Sequence, residues 1–213
     1  MRKTMRIATF VILAFLMMLP TGSIQAATTL QFGSNNGDVW DLQFRLNTAG
    51  YFSEKMDGNY GPITADAVRR FQKDYGLPAD GIAGDRTWKA LKKVSVNQQE
   101  LDMLAKVIYG EARGESYIGQ VAVGAVVMNR LQSPDFPHSI EEVIFEPWAF
   151  TAIHDGQYFM TPNSTAYKAA LDAVRGWDPS YGSLYYFNPD TATSAWIWSR
   201  PQKVTIGAHI FCM

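Results

Sequence analysis

Two glutamates stand four residues apart in the stretch YGEARGE, which spans residues 109–115. Glu111 and Glu115 each follow a glycine directly, at positions 110 and 114. A solvated helix face does not need glycine, because glycine weakens a helix. A carboxyl group at the end of a helix can instead act as a general acid that protonates a leaving oxygen. The stretch therefore makes Glu111 the first candidate for chemistry, with an ordinary solvated helix residue as the alternative.

The segment before these glutamates has to position them. Residues 100–109 read ELDMLAKVIY, with apolar residues at helical spacing. The two glycines that follow predict that this helix weakens or ends near Glu111. A carboxyl group at a helix C-terminus faces the negative end of the helix dipole, which favours its protonated form. The neighbouring apolar residues Val107 and Ile108 act in the same direction.

Glu115 allows two interpretations. If the helix continued, Glu115 would stack one turn beyond Glu111 and the two carboxyl groups would repel each other when charged. Alternatively, Glu115 lies just before the next helix, which starts after Ser116 with YIGQVAVGAVVMNRLQ, and supplies a favourable negative charge at its N-terminus. The second, structural role is favoured slightly.

The remainder of the second half predicts helices followed by strands. Ser139 and Glu142 form a capping-box pattern before a short helix, and residues 163–175 predict another helix. From residue 183 onward the sequence is rich in aromatic and β-branched residues with turn signals, which predicts a few short antiparallel strands. Within them, Trp196 and Trp198 alternate and are expected on one face of a strand. This order indicates an α+β domain.

The first half contains an internal repeat. Residues 57–64 (DGNYGPIT) and 80–87 (DGIAGDRT) both fit D-G-x-x-G-x-x-T, and each precedes a helix-like segment. The pattern predicts a loop with left-handed glycines that delivers a threonine N-cap to a helix. With an amphipathic helix upstream, residues 30–93 are expected to form a compact three-helix unit. A helix–loop array without a binding function is the alternative.

Bulk composition narrows the function classes. The chain has 213 residues and is 47% hydrophobic, enough for one large or two small domains.

Residues 1–26 combine a basic start, an apolar run and a small residue at Ala26, as in a secretory signal peptide; an uncleaved anchor is the alternative. The remaining chain is acidic and has no basic stripe, so we expect no nucleic-acid partner. The single cysteine, Cys212, cannot form an internal disulfide and is expected to be buried or terminal.

The first half resembles the peptidoglycan-binding domain 1 family. The matching stretches are DVWDLQFRLNTAGYF, DGNYGPITADAVRRFQKDYGLPADG and GDRTWKAL, within residues 33–91. The resemblance implies a non-catalytic module that holds its neighbour on peptidoglycan. Residues 94–99 form a short polar linker, too brief for a long flexible tether.

The second half, residues 100–213, resembles the SleB/CwlJ cell wall hydrolase family, the spore cortex-lytic enzymes. The matching stretches are LAKVIYGEARGESYIGQVAVGAVVMNR, AFTAIHDGQ, SLYYFNPDTATSAWIWSRPQ and IGAHIFC. The order of signal, binding module and hydrolase is that of the SleB branch. The resemblance implies a lysozyme/transglycosylase-like α+β catalytic domain with a small antiparallel sheet, preceded by the all-α three-helix module.

The same resemblance implies a mechanism for Glu111, which occupies the position of the family's catalytic glutamate. One essential carboxylate suits a lytic transglycosylase, in which the 6-hydroxyl of the muramyl residue attacks the anomeric carbon and leaves a 1,6-anhydro end. Ordinary glycosidases use two carboxylates. A groove for the glycan needs aromatic, amide and hydroxyl groups. The candidates for substrate binding, in addition to Glu115, are Gln120, Phe150, Thr151, Gln157, Tyr186 and Asn188.

The resemblance also implies a biological setting. The substrate would be spore cortex peptidoglycan, cleaved between MurNAc and GlcNAc during germination, and a YpeB-like regulatory protein is an expected partner. No cofactor and no metal are expected, and no membrane span remains after signal cleavage.

Two rival functions stay open at this point. A metal-dependent amidase could use His138, His154 and His209, although their spacing fits no zinc motif. A wall-binding protein with an inactive second domain is the other rival, and the intact GEARGE stretch argues against it.

Overall fold

The structure is a computed structural model that describes residues 28–213. The predicted signal peptide, residues 1–26, lies outside the described residues. None of the helices described is long and apolar enough to cross a membrane.

Three helices form the N-terminal module: α1 Gly37–Thr48, α2 Pro62–Asp74 and α3 Asp85–Val94. Their apolar faces enclose a separate core, which includes Leu42, Phe71 and Leu91, all fully buried. Asn36 caps α1 by accepting a hydrogen bond from the backbone N–H of Val39. The predicted three-helix unit is present.

The repeated loops differ from the prediction in one respect. The N-caps of α2 and α3 are Gly61 and Gly84, in extended conformation and without a side-chain cap. Thr64 and Thr87 therefore do not cap these helices, as the sequence had suggested, but lie three residues further on and are buried. A threonine at this position can turn its hydroxyl group inward, toward a partner that the local sequence does not reveal.

That partner is a buried glutamine. Gln43 Nε2 donates to Asp57 Oδ1, to the backbone carbonyl of Asn59 and to Thr64 Oγ1, at 2.9–3.1 Å. Gln72 makes the same three kinds of bond in the second loop. Each repeat is thus a loop wrapped around one buried amide whose hydrogen bonds are satisfied.

The second half consists of six helices, one 3-10 turn and a small sheet. The helices pack around α5, which is buried along most of its length. At Gly124 in α5, an added Cβ would lie 2.9 Å from Ile108 and 3.0 Å from Ala173, so three helices meet closely there. The elements are α4 Gln98–Ala112, α5 Tyr117–Gln132, α6 Ile140–Phe145, α7 Thr151–His154, a 3-10 turn at Gln157–Phe159, α8 Ser164–Val174, β1 Tyr185–Phe187, α9 Ala195–Trp198, β2 Gln202–Ile206 and β3 His209–Cys212.

The sheet has the strand order β1-β3-β2, and both pairings are antiparallel. Tyr186 lies opposite Phe211, whose side chain is in the core. Cys212 is fully buried, and burial raises the pKa of its thiol. The α+β class with a small antiparallel sheet is confirmed.

Trp196 and Trp198 do not lie in a strand, contrary to the prediction. They belong to the short helix α9, and both are partly exposed. Trp196 packs edge-on against Tyr185, and the ring of Trp198 packs against Phe187. Alternation alone cannot make a strand, because a strand needs a neighbour for its backbone hydrogen bonds.

The segment between α3 and α4 is packed, not free. The side chains of Ser95 and Val96 are fully buried. Thr48 donates its hydroxyl to the carbonyl of Val96, and Arg45 forms a 2.9 Å ion pair with Glu100 at the start of α4. The N-terminal module is therefore docked against the second domain at this junction.

Candidate active site

Glu111 lies in the last turn of α4, as the glycines predicted, and is half-buried. Its Oε1 accepts a 2.6 Å hydrogen bond from the backbone N–H of Ala152 at the start of α7. Its Oε2 accepts a 2.9 Å hydrogen bond from the hydroxyl of Tyr186 in β1. Two elements that are distant in sequence, α7 and β1, thus fix both oxygens of the carboxyl group that α4 carries.

Gly110 is needed for this arrangement. A Cβ at position 110 would lie 2.6 Å from the Cβ of Ala152 and 3.4 Å from the backbone of Gln157. Only a glycine lets α7 and the turn after it approach α4 this closely. The close approach places the N–H of Ala152 within hydrogen-bonding distance of Glu111, which explains the first glycine of the GEARGE stretch.

The hydroxyl of Tyr186 donates to Glu111, and packing holds the ring in place. Its ring packs against His209 and Phe211, with centroids 5.2 and 5.6 Å away. Burial, and secondarily the charge of Glu111, raises the pKa of Tyr186 well above its ordinary value. The phenol therefore stays protonated at neutral pH.

The two hydrogen bonds hold the carboxyl group of Glu111 in one orientation, since each of its oxygens accepts from a different donor. A carboxyl group in a fixed position is what general acid catalysis requires.

Glu115 does not stack on Glu111, because α4 ends at Ala112. Its Oε2 accepts a 3.2 Å hydrogen bond from the N–H of Ala208 in the turn between β2 and β3. Its Oε1 lies 3.9 Å from Nδ1 of His209. At Gly207, an added Cβ would lie 1.7 Å from Glu115 Oε2. Glu115 therefore joins the α4–α5 junction to the hairpin, a contact that the sequence did not indicate.

Two candidates for substrate binding are buried. Phe150 is 2% exposed, and its ring lies 5.1 Å from the guanidinium of Arg130. Gln120 is 5% exposed and donates to the backbone carbonyl of Glu115. The side chains of both residues thus lie inside the domain.

The other candidates lie nearer the surface. Thr151 is exposed at the start of α7, one residue before the donor Ala152. Gln157 accepts from Arg113 and donates to Asp155. Asn188 follows β1, and its side chain accepts a 2.9 Å hydrogen bond from the backbone of Asp190, which shapes the turn.

Arg130 and Trp148 also lie close to the candidate site, on a shared pocket with Tyr186, and no motif in the sequence indicated them. Arg130 is a charged residue at the end of the almost wholly apolar helix α5, yet it is 5% exposed. Trp148 is 82% exposed and has a backbone φ of +65°, which is rare for a residue other than glycine. A single charged residue in an apolar helix could have indicated the buried Arg130. Nothing in the local sequence indicated the position of Trp148.

The three histidines of the amidase alternative do not form a metal site. Within residues 28–213, no group of three or more His, Cys, Asp or Glu side chains is placed to hold a metal ion. His154 stacks on Trp148 with ring centroids 4.2 Å apart, and His209 lies beside Glu115.

Comparison with known proteins matches both halves. The family described as Cell Wall Hydrolase matches residues 114–212, and a putative peptidoglycan binding domain matches residues 35–91. A spore cortex-lytic enzyme of Bacillus cereus is 43% identical over 248 aligned residues, which cover 95% of this chain and 96% of the relative.

Two solved structures match the second domain. The catalytic domain of the Bacillus cereus SleB protein is 59% identical with a TM-score of 0.54, and the match covers 56% of this chain and 93% of that one. The catalytic domain of a germination-specific lytic transglycosylase, SleB from Bacillus anthracis, is 60% identical with a TM-score of 0.53 and covers 55% and 97%.

The fold and the two family matches define a cell wall hydrolase that is preceded by a domain of the peptidoglycan-binding type. The chain belongs to the spore cortex-lytic enzyme family. The resemblance drawn from the GEARGE stretch and the paired D-G-x-x-G-x-x-T loops is confirmed.

Proposed function

We propose that this protein cleaves the glycan strand of spore cortex peptidoglycan between MurNAc and GlcNAc during germination. We propose further that it does so as a lytic transglycosylase with Glu111 as its catalytic acid. The observation that carries the proposal is the fixation of Glu111 by the N–H of Ala152 and the hydroxyl of Tyr186 at the end of α4. The printed names of the relatives, a spore cortex-lytic enzyme and a lytic transglycosylase, support the substrate and the reaction.

In the proposed reaction, protonated Glu111 donates its proton to the glycosidic oxygen while the bond from that oxygen to the anomeric carbon of MurNAc breaks. The 6-hydroxyl of the same MurNAc residue forms a new bond to the anomeric carbon. Its proton passes to the carboxylate of Glu111, which restores the acid. The products are a GlcNAc 4-hydroxyl and a 1,6-anhydro-muramyl end, and no water is consumed.

Tyr186 and Ala152 have distinct tasks in this scheme. Both donate to the carboxylate that exists between the two proton transfers, and they keep the side chain pointed in one direction. Fixed donors in a partly buried site stabilise the carboxylate more than water molecules would, because the donors need no reorganisation during the reaction.

The position of Glu115 supports the use of a single carboxylate. Its two oxygens face Ala208 and His209 in the β2–β3 hairpin. We therefore assign Glu115 a structural role, and the nucleophile is the hydroxyl of the substrate itself. An ordinary retaining or inverting glycosidase would need a second carboxylate across the scissile bond.

The remaining candidate residues divide into two groups. We assign Phe150 and Gln120 a supporting role behind Glu111, because both are buried. Thr151, Gln157 and Asn188 form the accessible rim and remain proposed substrate contacts.

We propose that the enzyme acts outside the cell membrane, after export by residues 1–26, and that the N-terminal module binds peptidoglycan. A YpeB-like protein remains a proposed partner. Sequencing the N-terminus of the protein from spores would test the export step, since cleavage after Ala26 predicts a new terminus at Ala27.

The decisive experiment is the digestion of cortex sacculi with the wild-type protein and with Glu111→Gln, followed by mass spectrometry of the released fragments. The proposal predicts 1,6-anhydro ends from the wild type and no fragments from the variant. Reducing muramic ends would indicate a hydrolase with a water-activating group. Free stem peptides, together with an active Glu111→Gln variant, would indicate an amidase instead.

A further inference from the structure

A pocket opens beside the candidate site. It has a volume of about 290 Å³ and lies between α5, the segment before α7, β1 and α9. Its walls include the aromatic side chains of Trp148, Tyr185 and Trp196. Tyr186 also lines this pocket, and its hydroxyl bonds to Glu111. The side chain of Tyr186 would therefore lie between a molecule in the pocket and Glu111, the proposed catalytic acid.

The buried arginine faces this pocket. Arg130 is 5% exposed, and its Nε donates a 2.8 Å hydrogen bond to the carbonyl of Leu184. Among the residues that the structure describes, its two Nη atoms have no hydrogen-bond partner and no carboxylate within 4 Å. Glu146 lines the same pocket but does not form an ion pair with it.

The surroundings of Arg130 do not replace the missing partners. The rings of Phe136, Phe150 and Tyr185 lie 5.1–5.4 Å from its guanidinium carbon. Aromatic faces attract the cation, but they do not accept hydrogen bonds in the plane of the guanidinium. The Nη atoms are not among the fully buried side-chain atoms that lack a partner in the described residues, so these donors remain accessible, and Arg130 lines the pocket. A bound group with an acceptor oxygen can therefore take up hydrogen bonds that the protein itself does not use.

Trp148 provides the second observation. Its φ of +65° is sterically unfavourable for a bulky residue, and its side chain is 82% exposed. Its ring stacks on His154 at 4.2 Å with an interplanar angle of 19°, which fixes its orientation. Strained backbone that holds a large aromatic ring at the mouth of a pocket is typical of a ligand site.

We propose that this pocket is a subsite for one N-acylated sugar of the glycan strand, next to the bond that is cleaved. Arg130 donates from its Nη atoms to a carbonyl or carboxylate oxygen on the sugar, and Trp148 packs against the sugar ring. The proposal rests on the proposed function, because it takes the glycan as the substrate of Glu111. The oxygen comes either from the acetamido group or from the lactyl group of the muramyl residue.

The test measures binding instead of cleavage, so that it does not depend on the reaction. Calorimetric titrations use the full chain with Glu111→Gln as the parent, and two probes: N-acetylchitotetraose and a peptide-free GlcNAc–MurNAc tetrasaccharide. Trp148→Ala and Arg130→Lys are added to the parent. The matched controls are Trp177→Ala and Arg175→Lys, at exposed positions outside the pocket.

We expect each of the two pocket variants to weaken binding of the tetrasaccharide about ten- to a hundred-fold, because each loses a contact with the sugar. The controls should bind like the parent. If chitotetraose loses affinity equally in Arg130→Lys, the oxygen belongs to the acetamido group; if only the tetrasaccharide does, it belongs to the lactyl group.

Unchanged affinity of Trp148→Ala for the tetrasaccharide would overturn the proposal, whether or not Arg130→Lys folds, because Trp148 is exposed and its loss leaves the core intact. That outcome would not contradict the proposed function, because the proposed function is tested by the products that the wild-type enzyme releases. Conversely, amidase products from the wild type would refute the proposed function even if the pocket bound sugar.

Discussion

The hydroxyl of Tyr186 donates a 2.9 Å hydrogen bond to Oε2 of Glu111, across 75 residues of sequence. The contact joins β1 to the end of α4. It gives the catalytic candidate a donor whose pKa is raised by burial, so the phenol of Tyr186 is neutral at physiological pH.

Replacing Tyr186 by phenylalanine should lower activity without unfolding the protein. The change removes the hydrogen bond to Glu111 and leaves the ring packed on His209 and Phe211. We expect cortex cleavage to slow about ten- to a hundred-fold, because one charge-assisted hydrogen bond is worth about 1.5–3 kcal/mol. The rate is measured as the fall in optical density of a cortex suspension.

Tyr181→Phe is the matched control, because the side chain of Tyr181 is 71% exposed and has no described hydrogen bond through its hydroxyl. A Tyr186→Phe enzyme as fast as Tyr181→Phe would show that the hydroxyl of Tyr186 is not needed.

Replacing Gly110 by alanine should displace α7 and so disturb the hydrogen bond to Glu111. The added Cβ would lie 2.6 Å from Ala152, so α7 must move away from α4 and the N–H of Ala152 must leave Glu111. Overpacking of this kind lowers the free energy of unfolding by about 1–3 kcal/mol. The better helix propensity of alanine offsets about 1 kcal/mol of this loss. We expect a small loss of stability in urea unfolding and a much larger loss of activity.

Gly114→Ala provides the comparison within the same motif, since an added Cβ there meets open space. If both variants kept full activity, the close approach of α7 to α4 would have no part in catalysis.

Replacing Gly207 by alanine tests the contact between the hairpin and Glu115. The residue has a φ of +58°, and a Cβ would lie 1.7 Å from Glu115 Oε2. The left-handed backbone alone costs about 1–2 kcal/mol, and the clash adds to that. We expect a lower midpoint in thermal unfolding than for Gly182→Ala, which has a φ of +77° and open space around it.

Combining Gly207→Ala with Glu115→Ala should recover part of the lost stability, because the clash disappears. Additive effects of the two changes would contradict the contact.

Replacing Arg45 by methionine tests the junction between the two domains. Arg45 is 3% exposed and bonds to Glu100 at the start of α4 and to the carbonyl of Ser95. Removing one partner of a buried ion pair costs about 3–5 kcal/mol, and the partial exposure of Glu100 reduces this to about 2–3 kcal/mol. Urea unfolding measures the loss, and proteolysis between residues 94 and 99 should accelerate.

The exposed pair of Arg70 and Asp66 supplies the control, since Arg70→Met should cost less than about 1 kcal/mol. Equal resistance of Arg45→Met and the wild type to proteolysis would show that the docking does not depend on this ion pair.

Local sequence was sufficient for the longer helices and for the position of Glu111. The apolar period and the glycines of YGEARGE placed Glu111 at the end of α4, because period and helix breaking act over a few residues. The repeat of D-G-x-x-G-x-x-T likewise indicated two similar loops, since left-handed glycines at Gly58 and Gly81 are a local requirement.

Only the tertiary structure decided what surrounds these residues. It brought Ala152 and Tyr186 to Glu111, turned Glu115 toward the hairpin, buried Phe150 and placed Arg130 at a pocket. It also made a helix of the segment around Trp196, which alternation had assigned to a strand. These outcomes depend on which distant elements pack together, and a contact across tens of residues leaves no period or cap in the sequence that joins them.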